Sequence, residues 1–247
     1  MRLANNRLDF EKYAVGYDRL CELSPAYQDL RNLLNTHLPS FNLGSESRIC
    51  ELGAGTGNFT LEVASQHPDA SFTHVDMSRE MNAAAKRKYD TAGIEYTIRE
   101  TFIQTCELPT NSFDLVIMVN ALNTCPPQFQ VLENIYSWIK PGGHLFLIDF
   151  GREQDTWDWT KYLSRTVYES QGFFGLIREL YNNREAIRQN RRARFDQEHG
   201  NMWLHSTEEF GEIIKKAGFQ VNHLEQCYRK YSDLVVAQKP IPSSDQP

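Results

Sequence analysis

The stretch Ile49-Cys50-Glu51-Leu52-Gly53-Ala54-Gly55-Thr56-Gly57-Asn58-Phe59-Thr60 constrains this chain more than any other. A short apolar run enters three alternating glycines, and a segment able to form a helix leaves them. That order reads as strand, tight turn and helix N-terminus. Glycine admits positive φ and lets a ligand approach the main chain, while the first N–H groups of a helix find no partner within it. The turn is therefore a place where a ligand lies against backbone, and the strand-turn-helix unit calls for an open α/β sheet.

The spacing narrows the ligand. A dinucleotide fingerprint runs G-x-G-x-x-G, which would require glycine at position 58, where Asn58 stands. NAD is disfavoured on that ground. About 20 residues further on, where a βαβ unit places its ribose-binding acid, Phe72-Thr73-His74-Val75-Asp76-Met77-Ser78 reads as a strand ending in Asp76. A carboxylate there accepts hydrogen bonds from two ribose hydroxyls, and Met77 is placed to lie on an adenine face.

Glu51-x-Gly53-x-Gly55-x-Gly57, with Asp76 after it, resembles the first motifs of class I S-adenosylmethionine-dependent methyltransferases. Leu108-Pro109 followed by Phe113-Asp114-Leu115-Val116 is similar to the family's third and fourth blocks, and Ile139-Lys140-Pro141-Gly142-Gly143 to its turn before strand five. The resemblance covers about residues 50 to 150. It implies a Rossmann-like, doubly wound, mostly parallel seven-stranded sheet with an antiparallel last strand, and S-adenosylmethionine as cofactor. It implies contacts from Glu51, Gly53, Ala54, Gly55 and Gly57 in the loop, and from Asp76 and Met77 on the adenosine side. Gln104 stands where the family usually has an acid that holds the adenine amino group, and an amide oxygen accepts the same bond without charge. The backbone of Thr105 is then the expected partner of the ring nitrogen, and Asn120 falls beside the methionine moiety.

Ahead of the first strand, Leu8–Pro39 reads as two amphipathic helices separated near Ser24-Pro25, with Pro25 in a helix first turn. In the family such a segment also closes over the cofactor; here Tyr17, in the pair Tyr17-Asp18, or alternatively Tyr13, is the expected contact. Between 48 and 150, strands are expected at Arg48–Leu52, Ser71–Asp76, Glu95–Arg99, Phe113–Val119 and His144–Phe150. Helices are expected at Asn58–His67, Ser78–Asp90 and Pro127–Ile139, with Gly142-Gly143 as a turn after the last of these. Ser206 to Glu209 fits a capping box that starts a helix ended by Gly218, and Val221–Tyr228 with Ser232–Gln238 reads as a terminal hairpin. The expected organisation is an N-terminal helical segment (1–47), a core (48–150 and 206–239), a helical cap insertion (151–205) and a mobile tail (240–247).

The insertion is the anomaly, because the core needs only a short helix between strands five and six. It carries Trp157, Trp159, Tyr162, Tyr168, Phe173, Phe174, Tyr181, Phe195 and Trp203, with Phe173, Ile177, Leu180 and Tyr181 on one helical face. Its position near the carboxyl ends of the strands makes it a candidate substrate cap. Most of these aromatics are expected to pack on the sheet and the N-terminal helices, with a few lining a pocket. Arg184, Arg188, Arg191, Arg192 and Arg194 form a basic cluster, read as a solvated face, a clamp for an anionic substrate or an RNA-contacting strip.

With Lys and Arg at 26 against Asp and Glu at 32, the net charge of −6 argues against a general polyanion binder. No apolar run approaches the roughly 18 residues that span a bilayer, and Met1–Arg7 shows no signal-peptide core, so a soluble, cytoplasmic protein is expected. The five cysteines are scattered without a C-x-x-C pair, and no histidine stands in H-x-x-H spacing; the sequence predicts no metal. Methyl transfer needs a base only for a protonated or weakly acidic acceptor. His205 beside Trp203, then Tyr17 and His199, are the candidates. The expected activity is methyl transfer to a small molecule, with an RNA methyltransferase or a non-catalytic cofactor-binding regulator as alternatives.

Overall fold

The computed structural model describes residues 16–182, 184, 187, 188, 192, 200 and 202–242. Seven strands, β1 (Arg48–Leu52), β2 (Ser71–Asp76), β3 (Glu95–Glu100), β4 (Phe113–Val119), β5 (Ile139–Phe150), β6 (Gln220–Cys227) and β7 (Ser232–Gln238), form one sheet in the order β3-β2-β1-β4-β5-β7-β6. β7 pairs antiparallel with both neighbours, and every other pairing is parallel. The chain winds outward in one direction from β1 to β3 and in the other from β4, so the strand order reverses between β1 and β4. Ligands of open α/β sheets bind at that crevice, outside the carboxyl ends of the strands.

Seven helices, numbered among the described residues, flank the sheet: α1 (Tyr17–Leu23), α2 (Pro25–His37), α3 (Asn58–Ala64), α4 (Arg79–Ala92), α5 (Gln128–Trp138), α6 (Thr156–Asn182) and α7 (Thr207–Lys216). The central strands are apolar on both faces because both are covered. On one face Cys50, Leu52, Val116, Met118, Leu145 and Leu147 pack with Val131, Leu132 and Ile135 of α5 and Phe210 and Ile214 of α7. On the other, Ile49, Leu115, Ile117, Phe146 and Ile148 meet Tyr27, Leu30 and Leu34 of α2 and Phe59 and Val63 of α3. Each fully buried large aliphatic or aromatic side chain contributes about 1.5–3 kcal/mol, so the two clusters hold the sheet rigid beneath the site.

Local chemistry sets the element ends. Ser24 accepts from the Tyr27 N–H and Pro25 occupies the first turn of α2, as its sequence predicts. Ser206 and Glu209 complete a reciprocal capping box on α7. Two boundaries differ from expectation by three residues or more. α3 stops at Ala64, three residues short of His67, where the Gln66 and His67 N–H groups both turn back to Val63 O. β5 begins at Ile139 immediately after α5, with Lys140–Gly143 inside the strand. Phe113 pairs with Ile139 and Leu115 with His144, so the Gly142-Gly143 segment is a bulge, held by Gly142 N–H to Lys239 O (2.8 Å) and Lys239 N–H to Gly143 O (2.9 Å). Pro127 caps α5 from outside its first turn.

The first half of α6 is pinned to the body. Tyr162 Oη accepts from Ala26 N–H (3.0 Å), Trp159 lies on Tyr228 (centroids 4.9 Å), and Arg229 sits over Tyr162 and bonds Asp158. Arg19 of α1 grips the buried Glu179 through two hydrogen bonds. Gly172 breaks the helix at φ 70°, ψ −174°. Beyond it the expected packing does not occur: Phe173, Phe174, Ile177, Leu180 and Tyr181 are exposed, as are Trp157 and Tyr168. Arg184 stacks over Tyr181, while Tyr13, Arg191, Arg194, Phe195 and His199 lie outside the described residues. Among the described residues no helix is long and apolar enough to cross a membrane.

Candidate functional site

β1 delivers the chain at Leu52 into a loop whose three glycines all have positive φ: Gly53 at 62°, Gly55 at 53° and Gly57 at 76°. Each is required for a different reason. A Cβ on Gly53 would lie 2.5 Å from Cβ of Ala121, at the exit of β4. A Cβ on Gly57 would fall 2.0 Å from the hydroxyl oxygen of the buried Tyr89. Around Gly55 the nearest heavy atom to such a Cβ is Met81 Sδ at 3.9 Å, so this face of the loop is open for a ligand to approach the backbone. Ala54 N–H donates to Val75 O and Gly57 N–H to Ala54 O, which fixes the turn's shape.

Asp76, at the end of β2, is docked on that loop. Its Oδ2 accepts from Gly55 N–H (2.8 Å) and its Oδ1 from Ser78 N–H (2.8 Å), while Ser78 caps α4. The sequence-predicted acid thus stands beside the sequence-predicted glycines, oriented by backbone donors.

Glu51 is buried beneath the loop, with Oε2 accepting from both Thr60 N–H (2.8 Å) and Thr60 Oγ1 (2.6 Å). Burial pushes its pKa up to about 7, a rise the two Thr60 bonds oppose. In the unfolded chain the same carboxyl is ionised above about 4.3. The folded state therefore binds more protons between these values. Stability tied to this group is fully present at acid pH and is lost as pH rises through 7. The expected loss is about 3–4 kcal/mol, and Glu51→Gln is expected to remove that slope in urea-denaturation curves taken from pH 4.5 to 8. A slope unchanged in the variant would assign it to other groups.

A polar cluster that the sequence did not single out ties two helices to the loop. Asp18 of α1 accepts from Thr56 Oγ1, from Asn58 Nδ2 (3.2 Å) and from Lys88 Nζ of α4 (3.0 Å), and Lys88 also donates to Asn58 Oδ1 (2.8 Å). Of the pair Tyr17-Asp18, Asp18 is thus the residue that reaches the loop. Tyr17 packs edge-on against Tyr27 at 6.4 Å. The adjacent acid was the available signal, and a carboxylate within reach of a helix N-terminus has a physical reason to be there.

The family model described as Methyltransferase domain matches residues 49–143, from the loop through the bulge of β5. Residues 49–143 are those of a methyltransferase domain. It is 28% identical over 137 residues to a demethylmenaquinone methyltransferase of Chlamydia trachomatis, a stretch covering 53% of this chain and 59% of that one. It is 25% identical over 189 residues to a malonyl-[acyl-carrier protein] O-methyltransferase of a Paenibacillus species, covering 75% and 60%. The chain thus spans less than two thirds of the length of these curated relatives. A solved S-adenosylmethionine-dependent methyltransferase from Aquifex aeolicus superposes with a TM-score of 0.60 at 18% identity, covering 94% of this chain and all of that one; it shares the fold.

On the side of the crevice where adenosine is expected, Met77 is exposed directly after β2, and Gln104 and Thr105 lie in a short 3₁₀ turn (Ile103–Thr105) after β3. The Thr105 N–H already donates to Phe102 O at 3.2 Å. Asn120 leaves β4 at φ 52°, with its N–H on Ile148 O and its side-chain oxygen accepting from Ser232 Oγ (3.2 Å), so its amide is turned toward β7.

His205 has no exposed side-chain surface. Its ring stacks on Phe210 (4.2 Å, 9°) and meets Trp203 at 4.6 Å, and burial lowers its pKa. This is a packing environment, with the imidazole walled off from solvent. Trp203 instead joins Asn123, Pro126, Gln128, Gly200, Met202 and Leu204 around a cleft of about 350 Å³. Asn123 donates from Nδ2 to Met202 Sδ, while its Oδ1 has no hydrogen-bond partner among the described residues.

Proposed function

We propose that this chain transfers a methyl group from S-adenosylmethionine to a small organic acceptor held over the carboxyl ends of β4 and β5. The observation that carries the reading is the Gly53–Gly57 loop, open at Gly55, with the Asp76 carboxylate docked beside it where the strand order reverses. In this reading the loop backbone holds the methionine portion, and Glu51, buried beneath the loop, braces it through Thr60 instead of touching the ligand. Asp76 takes the ribose hydroxyls, Met77 covers one adenine face, and Gln104 takes the adenine edge, where the Thr105 N–H is already engaged by Phe102 O.

When bound, the cofactor supplies a methyl group already activated on a sulfonium centre. The chain's own contribution is then alignment and exclusion of water. Asp18, Lys88, Asn58 and Thr56 clamp the loop against α1 and α4 and hold its geometry. The cleft walls of Trp203, Met202, Leu204 and Pro126 favour an apolar or aromatic acceptor, and Asn123 Oδ1 offers a bond to a hydroxyl or N–H on it. The relatives' names, for a quinone and a carrier-bound malonyl group, support a small acceptor. The net charge of −6 weighs against RNA.

Asp76→Ala tests the cofactor assignment. Affinity for S-adenosylmethionine is expected to fall by about 1–3 kcal/mol, the scale of a charged hydrogen-bond partner, when measured by calorimetry. Equal affinity in the variant would remove Asp76 from the ribose site.

A further inference from the structure

We infer that His37, His223 and Glu225 bind a divalent transition-metal cation at the edge of the sheet, apart from the cofactor loop. β6, which carries two of the three, is separated from β1 by β4, β5 and β7. His223 and Glu225 are two residues apart on this edge strand and project to one side of it. The C-terminal residue of α2, His37, lies over them with its ring centroid 4.9 Å from that of His223.

The three potential donor atoms all lie within 4.8 Å of one another. A tetrahedral ion with bonds of about 2.1 Å wants its donors about 3.4 Å apart. His223 Nε2 and Glu225 Oε1, at 3.3 Å, already meet that spacing, so the remaining adjustment is a rotation of the His37 ring. Among the described residues His223 Nε2 is shut off from solvent yet has no aligned hydrogen bond, an arrangement that an ion on this nitrogen would satisfy.

Electrostatics act in the same direction. The helix C-terminus adds a partial negative charge at His37. Two imidazoles and one carboxylate suit Zn²⁺ and leave a position for water. Bound there, the ion staples α2 to the far edge of the sheet, and with it the helical pair whose Asp18 reaches the glycine loop. The five cysteines do not compete: all are buried, and burial pushes Cys21 to about 12 and Cys125 to about 11.

The test is titration of chelator-treated full chain with Zn²⁺, followed by calorimetry and thermal unfolding. One equivalent is expected to bind with micromolar or tighter affinity and to raise the melting temperature. His37→Ala and His223→Ala should each weaken binding at least about tenfold and abolish the thermal shift, whereas Glu95→Gln, on β3 at the opposite edge of the sheet, should change neither. Glu225→Gln, at a half-exposed position that leaves both rings intact, is the variant to read if a histidine variant folds poorly, and it should also weaken binding. Zinc affinity unchanged in His37→Ala, His223→Ala and Glu225→Gln, or no binding to the unaltered chain at 100-fold molar excess, would overturn the site.

Discussion

Gly57→Ala is expected to destabilise the protein by roughly 3–5 kcal/mol, from positive-φ strain together with overpacking. The first contribution is conformational, because position 57 sits at φ 76°. The second is steric and larger. The new methyl would lie 2.0 Å from the Tyr89 hydroxyl oxygen and 2.5 Å from Cζ. Tyr89 cannot move aside without cost, since it is fully buried and its hydroxyl is joined to His74 Nδ1 (2.9 Å), whose Nε2 is joined in turn to Asn82 (2.9 Å). Gly93 provides the control: its φ is 68°, but a Cβ there meets nothing within 4 Å. Gly93→Ala should therefore cost only about 1 kcal/mol. Urea denaturation of the two variants separates the contributions, and equal losses would contradict the packing argument.

The second large effect is expected at the junction of β7, α7 and the segment leading to α6. Arg152 donates to both oxygens of the fully buried Asp233 (2.7 and 3.1 Å) and to the carbonyls of Lys230 and Ser232. Thr207 of α7 donates to the same carboxylate at 2.7 Å. Arg152→Ala leaves that carboxylate buried without its cation, a change that costs about 3–5 kcal/mol. Asp233→Ala should cost less, because the Arg152 side chain remains 30% exposed and regains water. The double variant should lose less than the sum of the two. Additive losses in a denaturation cycle would mean that the pair is not coupled.

The parts of the fold legible in the sequence are those where local pattern and final environment agree. The runs at Ile49–Leu52 and Leu115–Val119 are apolar because both faces of the central sheet are covered, and covered strands read as near-continuous apolar segments. The loop was legible because its glycines answer to backbone conformation. Ser24-Pro25 and Ser206-Glu209 were legible because capping is local chemistry.

What was not legible depends on partners distant in sequence. Gly142-Gly143 looks like a turn, yet Lys239, from the end of the described chain, draws it into β5. The aromatics beyond Gly172 read as a packed helical face, but periodicity does not say whether an opposing surface exists; here they are exposed. Asp18 acquires its importance only when Lys88 and Thr56 are brought beside it. His205 looked like a base because it adjoins Trp203, and the ring of Phe210, folded back from α7, walls it in. His37 and His223 share no local motif, and only the packing of α2 against β6 makes them neighbours.

In the proposed function the Gly53–Gly57 loop and Asp76 form the S-adenosylmethionine site of this chain. Isothermal titration of the full chain with S-adenosylmethionine, and separately with its demethylated product, tests it most directly. One site per chain is expected for each ligand, with dissociation constants well below millimolar and competition between the two. The absence of binding by both ligands up to millimolar concentration would contradict it.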